Sequence, residues 1–452
     1  MTQIFSGFLS SFDPAHAIRA AEEYFGWLFS YFDPPHILEA LNTFGQLINS
    51  SSLLFWSFVY TVVRYTLPDI VIWIMYAIHP KTFDPPRLKK YAGAEPLVSV
   101  IIAGRNPGPS IVTSIQSVLR SDYSNVEIIF ADDYSTDNSV ELARTFERTG
   151  RVRVFANANH SGKAVNLNLA LNFVRGEFVF VLDADTQIYN DTIASMLPYF
   201  EDPQVGAVAA SIFVRNGTAS LLTRFQRIEY MLTYTLAQLW RDKLGIIAIV
   251  PGMGAMFRTT AMKGLGGFDM GLGDDTDMTL RLRKARWRLK MALRGRISTD
   301  VPVTLSHLMR QRARWTRNMV KMRLRKHRDM ATLRYGFANA FLFYENLVNR
   351  TIRPLAIVGL AIYAHLYRGV DAPFIIGFLF WFTSLELFLK VLIARDMTTE
   401  PPLGQLWLVP LYIFYRVPLL LNQVTQVTRE LLYIKTWHPY VPKRIWKQTP
   451  HH

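Results

Sequence analysis

Hydrophobic positions along this chain fall into two textures. Across residues 96–300, short apolar runs rich in Val, Ile and Phe alternate with amphipathic stretches of helical period. That is the pattern of a mostly parallel α/β sheet covered on both faces. The runs predict strands at 98–103, 127–131, 151–156, 178–182 and 206–212. Longer apolar runs flank this block. The stretch 53–78 has the length to cross ~30 Å of hydrocarbon, and further candidate spans lie at 353–367, 373–394 and 404–421. Pro410 and Pro418 interrupt the last of these and leave a re-entrant or interfacial element as its alternative. Residues 1–50 mix aromatic and polar positions, with Asp-Pro breaks at Asp13 and Asp33, and predict short interfacial helices. The expected organisation is 1–50 interfacial, 51–92 a first membrane helix and linker, 93–305 an α/β domain, 306–336 basic interfacial helices, and 337–452 a C-terminal membrane region and tail.

Composition sharpens this picture. Half of the residues are hydrophobic, yet the formal net charge is +15. The combination suits apolar segments in lipid with basic segments against anionic headgroups, so a bilayer is an expected partner. Nucleic acid is not, because the densest basic cluster, eight Lys/Arg between Arg310 and Lys326, adjoins apolar runs and no nucleic-acid-binding motif accompanies it. Lys81, Arg87, Lys89 and Lys90 follow the first span and place the α/β domain on the cytosolic side. The absence of cysteine excludes disulfides and thiolate metal sites.

Three acidic motifs stand at strand ends or helix starts, the edge where open α/β sheets bind ligands, and a fourth motif lies inside the basic stretch. Asp132 and Asp133 follow the second strand, within Ala131-Asp132-Asp133-Tyr134-Ser135-Thr136-Asp137. Asp, Ser and Asn also favour turns, so the motif alone is ambiguous. Asp183-Ala184-Asp185 follows a buried run, and two carboxylates so spaced can hold Mg2+ or Mn2+ against a diphosphate. Gly273-Asp274-Asp275-Thr276-Asp277 opens a helix, where one acid would be ordinary capping and three exceed that need. A carboxylate there can take a proton from an attacking hydroxyl. Gln311-Arg312-Ala313-Arg314-Trp315 offers, on one helical face, Trp315 as a platform for a sugar ring beside Gln311 and Arg314 as donors to a diphosphate.

Taken in order, the series D, DxD, DD and QxxRW resembles family 2 glycosyltransferases, and among them the processive membrane synthases of cellulose, chitin and hyaluronan. The resemblance covers about residues 96–330. It implies a GT-A type nucleotide-sugar-binding domain joined to transmembrane and interfacial α-helices. It further implies an inverting, membrane-embedded transferase that takes sugar from a nucleotide-sugar, expected to be a UDP-sugar, extends a polysaccharide acceptor and exports it from a bacterial inner membrane. By position, Asp133 with Asp132 would contact the nucleobase, Lys163 would approach the donor, and Asp183 and Asp185 would hold metal and diphosphate, with Asp185 the direct ligand. Asp275 beside Asp274 would be the base, and Gln311, Arg314 and Trp315 would bind donor or acceptor. Gln226, Glu229, Tyr230 and Gly252 would line the acceptor path. Two departures stand out: Tyr134 replaces the usual glycine, and Asn106-Pro107 stands where Asn-Glu is common. A non-processive transfer to a lipid-linked acceptor is the alternative, and a nucleotide-binding transporter or channel a remote one.

Overall fold

A computed structural model describes residues 59–60, 62–86, 95–269, 273–357, 372–398 and 403–433. The expected interfacial helices of 1–50 and the basic tail beyond 433 lie outside the described residues.

The central block is an eight-stranded sheet. In chain order its strands are β1 (Val98–Gly104), β2 (Val126–Asp132), β3 (Val152–Ala156), β4 (Phe178–Asp183), β5 (Gln187–Ile188), β6 (Val205–Val214), β7 (Ala255–Arg258) and β8 (Arg288–Thr299), arranged β3-β2-β1-β4-β7-β6-β8-β5. All five predicted strands are present. The sheet is mixed rather than mostly parallel, because β7 pairs antiparallel with both β4 and β6, and β5 pairs antiparallel with β8. Four residues after a glycine-rich turn are too few to show a period, which hid β7. β8 was legible in principle, since Leu289, Met291 and Leu293 are buried between the basic positions Arg288, Lys290 and Arg294.

Burial on both faces explains the unbroken apolar runs. On β1, Val98, Val100 and Ile102 pack into one core, while Ile101 and Ala103 pack into the other. Parallel pairing puts β2 on one side of β1 and β4 on the other, so the carboxyl end of β1 is a switch point where the chain path divides and a crevice opens.

Helices flank this sheet. Those that shape the site are α1 (Leu67–Ile78), α2 (Lys163–Leu171), α3 (Leu221–Tyr230), α4 (Ala237–Lys243), α5 (Asp274–Lys284), α6 (Leu305–Val320), α7 (Phe337–Leu347) and α8 (Tyr412–Leu431). A π-helical turn, Met231–Leu236, joins α3 to α4, and a second, Lys321–Lys326, extends α6.

The spans expected from sequence are not seen as such: among the described residues no helix is long and apolar enough to cross a membrane. The candidate at 404–421 is broken at Pro410 into a short 3-10 helix, Leu403–Leu408, and α8, whose polar positions Asn422, Gln426 and Glu430 interrupt the apolar run. α1 covers only the second half of 53–78, and most of that candidate's first half lies outside the described residues. So does most of 353–367, while 373–394 falls in the helix Ala372–Thr398. α1 nonetheless carries an exposed apolar stripe, Leu67, Val71, Ile74 and Ile78, at helical spacing.

The basic stretch also differs from expectation. Rather than facing outward as a whole, it turns several cations into the protein: Arg312 meets Glu229 at 2.7 Å, Arg325 meets Glu430 at 3.3 Å and Lys326 meets Asp269 at 2.5 Å. Its most buried acceptor is Asp277, 1% exposed, which binds Arg281 at 2.6 Å, Lys326 at 2.6 Å and His327 at 2.8 Å. Burial would raise its pKa, but the bonds from His327 and Lys326 and the charge of Arg281 hold it well below the usual carboxylate range. This carboxylate fastens α5 to the segment after α6.

A depressed carboxyl pKa stabilises the fold above the unfolded-state value and ceases to do so as pH falls. Asp277→Asn is therefore expected to cost about 3–5 kcal/mol at neutral pH, read from denaturant midpoints. The variant should lose less stability than wild type on acidification below pH ~4.

Candidate active site

The first two acidic motifs stand at the switch point. Register sets Asp132 opposite Gly104 and Asp183 opposite Ala103, so the two acids flank the end of β1 one residue apart. Gly104 is required there, because a Cβ on it would lie 2.5 Å from the Cβ of Ala184. The missing side chain lets the Asp183-Ala184-Asp185 turn close over the strand end.

Asp133 is buried, and its carboxylate accepts the N–H of Ser161 at 2.7 Å and of Gly162 at 2.9 Å, with His160 Nδ1 at 2.8 Å. It thereby fixes the turn into α2, whose first residue is Lys163. Asp132 is likewise tied locally, accepting the N–H of Ser135 at 2.9 Å. The loops after β1 and β2 are stitched together: Asn106 Oδ1 accepts the Thr136 N–H at 2.7 Å, and Ser135 Oγ accepts the Asn106 N–H at 2.8 Å. Both loops hold a non-glycine residue in the left-handed region, Asn106 at φ 52° and Tyr134 at φ 61°. The position where the resembling enzymes carry glycine thus keeps glycine-like backbone here, at a cost of order 1–3 kcal/mol.

Lys163 Nζ donates to Asp183 Oδ1. Burial lowers its pKa, but the charges of Asp183, Asp274 and Asp275 overcome this and hold the ammonium well above the ordinary lysine range. Gly252 lies in the same cleft: a Cβ there would be 3.4 Å from the Cβ of Asp275 and 3.8 Å from Lys163 Nζ. The DxD turn, the α2 lysine, the α5 acids and Gly252 therefore meet in one place.

Two carboxyls of this cleft have raised proton affinity. Asp275 accepts the Thr276 N–H at 2.7 Å, yet burial and then the charge of Asp274 push it up to about 6. Asp185 is pushed up to about 6 by burial and then by Asp183. Among the described residues no group of three or more His, Cys, Asp or Glu side chains is arranged to hold a metal ion. Asp183 and Asp185 still suit one: their crowding is what a hard divalent cation relieves, with its other ligands coming from elsewhere.

The QxxRW helix supplies the wall of the cleft. Trp315 meets Tyr234 edge to face, ring centroids 6.4 Å apart, and the Arg312 guanidinium lies 4.1 Å from the indole centroid. Burial pushes the Tyr230 phenol up to about 12, and the Tyr234 phenol is likewise raised by burial. Gln311 and Arg314 are half-buried on α6, and Gln311 Oε1 accepts from Arg312 at 3.0 Å.

The expected acceptor residues need correction. Gln226 is fully buried and donates to the carbonyl of Pro302 at 2.7 Å, and Tyr230 is 1% exposed. Glu229 takes Arg312 at 2.7 Å and the hydroxyl of Tyr415. Glu229 and Tyr230 thus pack against Arg312, the residue beneath Trp315, and Gln226 is tied to the segment at Pro302. Sequence reasoning passed over Arg312 and Tyr234. The helical spacing of Leu308, Arg312 and Trp315 was the available signal for the first; nothing local marked the second.

Residues 99–266 match Glycosyl transferase family 2, so the chain carries a glycosyltransferase domain of that family. A stretch of 234 residues is 30% identical to a beta-monoglucosyldiacylglycerol synthase from Nostoc sp., covering 50% of each chain. A stretch of 230 residues is 29% identical to a poly-beta-1,6-N-acetyl-D-glucosamine synthase from Staphylococcus epidermidis, covering 50% of this chain and 56% of that one. The chain thus spans about half the length of these relatives. The fold is similar to that of a mannosyltransferase from Pyrobaculum calidifontis solved in complex with GDP-Man and Mn2+, with TM-score 0.52 at 17% identity over 84% of this chain and 98% of that one. That likeness defines a GT-A-like α/β fold with a mixed sheet.

Removing Arg312 strips Glu229 of its ion-pair partner at low exposure. Arg312→Met is expected to cost about 3–5 kcal/mol, and Arg312→Met with Glu229→Gln to recover part of that loss, as a double-mutant unfolding cycle would show.

Proposed function

We propose that this protein transfers sugar, with inversion, from a nucleotide-sugar, a UDP-sugar in the first instance, to the hydroxyl of a growing polysaccharide at the cytosolic face of a bacterial inner membrane. One observation carries the reading: Lys163, Asp183, Asp275 and Gly252 share one cleft although they lie 112 positions apart at the extremes.

Placement supports a role for each residue. Asp275 takes the proton from the acceptor hydroxyl as that oxygen attacks the anomeric carbon. Its raised pKa makes it a better base than an ordinary carboxylate while leaving it ionised at neutral pH. Asp274 sustains that raised value by its charge. Lys163, fixed through its loop by Asp133, keeps a permanent cation beside the leaving diphosphate. Asp183 and Asp185 would hold Mg2+ or Mn2+, which when bound supplies neutralising charge to that diphosphate. Trp315, braced by Tyr234 and Arg312, offers its face to a sugar ring, with Gln311 and Arg314 alongside.

The apolar stripe of α1 supports a membrane-surface location, since such a face buries itself in headgroups. A second reading, a single transfer to a lipid acceptor, is favoured by the similarity to a glucosyldiacylglycerol synthase. Product size from a panel of nucleotide-sugars separates them: high-mass carbohydrate supports the polymer, one sugar per lipid the alternative.

Asp275→Asn should lower transfer ~10²–10⁴-fold while donor affinity changes only a few-fold. Near wild-type transfer would remove Asp275 from the role of base. In wild type the rate should rise with pH through about 6, above the ordinary carboxylate range, because the base must first lose its proton.

A further inference from the structure

The sheet edge opposite the catalytic cleft carries a second concavity. β6 and β8 run parallel to one another and, through the antiparallel β7, parallel to β4, so their first residues, Val205 and Arg288, stand at the far end from Asp183. A cavity of about 330 Å³ opens there, walled by the turn Pro80–Phe83 that leaves α1, the turn Leu197–Glu201, α4 and the start of β8. That volume falls at the small end of ligand pockets, about 300–1,000 Å³, and far above the about 10–15 Å³ that one water needs.

The floor of the cavity is apolar, formed by the buried Val205, Leu239, Met291 and Leu293. Its rim is charged in both senses. Asp242, 7% exposed, takes the Met291 N–H at 3.2 Å and Lys290 at 3.6 Å, both on Oδ1, and among the described residues no hydrogen bond reaches Oδ2. Burial raises this carboxyl above the ordinary range. Lys243 donates to the Thr82 carbonyl at 3.0 Å and lies 4.5 Å from the Phe83 ring centroid. At the mouth, Asp84 meets Arg294 at 3.1 Å and Asp202 meets Arg288 at 2.9 Å. Among the described residues the hydroxyl of Tyr199, which also lines the cavity, has no hydrogen-bond partner.

Asp84, Glu201, Asp202 and Asp242 are thus balanced by Lys243, Lys290, Arg288 and Arg294. A charged ligand would leave one sign in excess. A hydroxyl, by contrast, donates to a carboxylate and accepts from an ammonium, so a neutral polyol meets both halves of such a rim. The apolar floor adds a second requirement, a ligand with one face of C–H groups and a polar edge.

We propose that this cavity is a second saccharide site, separate from catalysis, which seats one neutral pyranose ring on the apolar floor. Asp242 Oδ2 accepts from one ring hydroxyl, Lys290 donates to its neighbour, and the Tyr199 hydroxyl bonds a third. The occupied site joins the turn after α1 to α4 and β8. It does not depend on which reaction the cleft performs.

The test is saturation-transfer NMR on the purified full chain with methyl β-glucopyranoside and methyl N-acetyl-β-glucosaminide, and with spermidine and phosphoethanolamine as cationic and zwitterionic comparisons. Wild type and Trp315→Ala should both transfer saturation to at least one glycoside, because the indole of the catalytic cleft takes no part. Tyr199→Phe, which removes only a hydroxyl that bonds nothing in the protein, should weaken that binding about 3–10-fold. Thr82→Trp places an indole at an exposed position of the cavity wall and should abolish it, with nucleotide binding retained. Signal lost in Trp315→Ala and kept in Thr82→Trp would move the sugar to the catalytic cleft and overturn the proposal. So would tighter binding of spermidine or phosphoethanolamine than of either glycoside, or no glycoside signal in wild type, which would leave the cavity to water. Should Thr82→Trp fail to fold, full glycoside affinity in Tyr199→Phe overturns the proposal by itself.

Discussion

The cleft is organised around one ammonium. Lys163 sits where Asp183 arrives from β4 and Asp274 and Asp275 arrive from α5. Without it, three carboxylates in a half-buried space would repel one another and at least one would stay protonated, as the raised values of Asp185 and Asp275 already indicate. The lysine therefore supplies charge compensation to all three acids at once. Its own placement depends on Asp133, which spends its carboxylate on backbone N–H groups of the loop before it. An acid met first as a ligand contact is, in the folded chain, the anchor of the residue that neutralises the others.

This arrangement shows what could be read from the sequence and what could not. Strands β1, β2, β4 and β6 were legible because burial on both faces writes a continuous apolar run, and the edge strand β3 because its Val152, Val154 and Phe155 stand out between polar positions. Acids placed just past those runs had to fall at one sheet edge, so Asp132, Asp183 and their neighbours were found by position alone. Asp275 was legible as an acid in excess of capping. By contrast, β7 is four residues long and its antiparallel insertion is a tertiary outcome, forced by pairing between β4 and β6 rather than by local pattern.

The same limit explains the residues misplaced around Trp315. Gln226, Glu229 and Tyr230 carry polar atoms, and polar atoms near a proposed site suggest contact with a ligand. Their partners lie far along the chain, Pro302, Arg312 and Tyr415, and only the fold brings those partners close enough to consume the polar groups internally. The basic stretch was misread for a related reason. A run of cations looks like a surface for phosphates until distant acids such as Glu430 and Asp277 are seen to absorb it.

The π-helical turn Met231–Leu236 carries a consequence of its own. A wider turn inserts one extra residue into what is otherwise a continuous helix, offsetting everything downstream by about 100° about the axis. Upstream of it Phe225 stacks on Tyr415, while Tyr234 within it reaches Trp315 and Trp240 beyond it returns to the core. Deleting a single residue there would leave both halves helical but swing one relative to the other, so related chains with and without this insertion would present different side chains to the sugar while sharing every acidic motif.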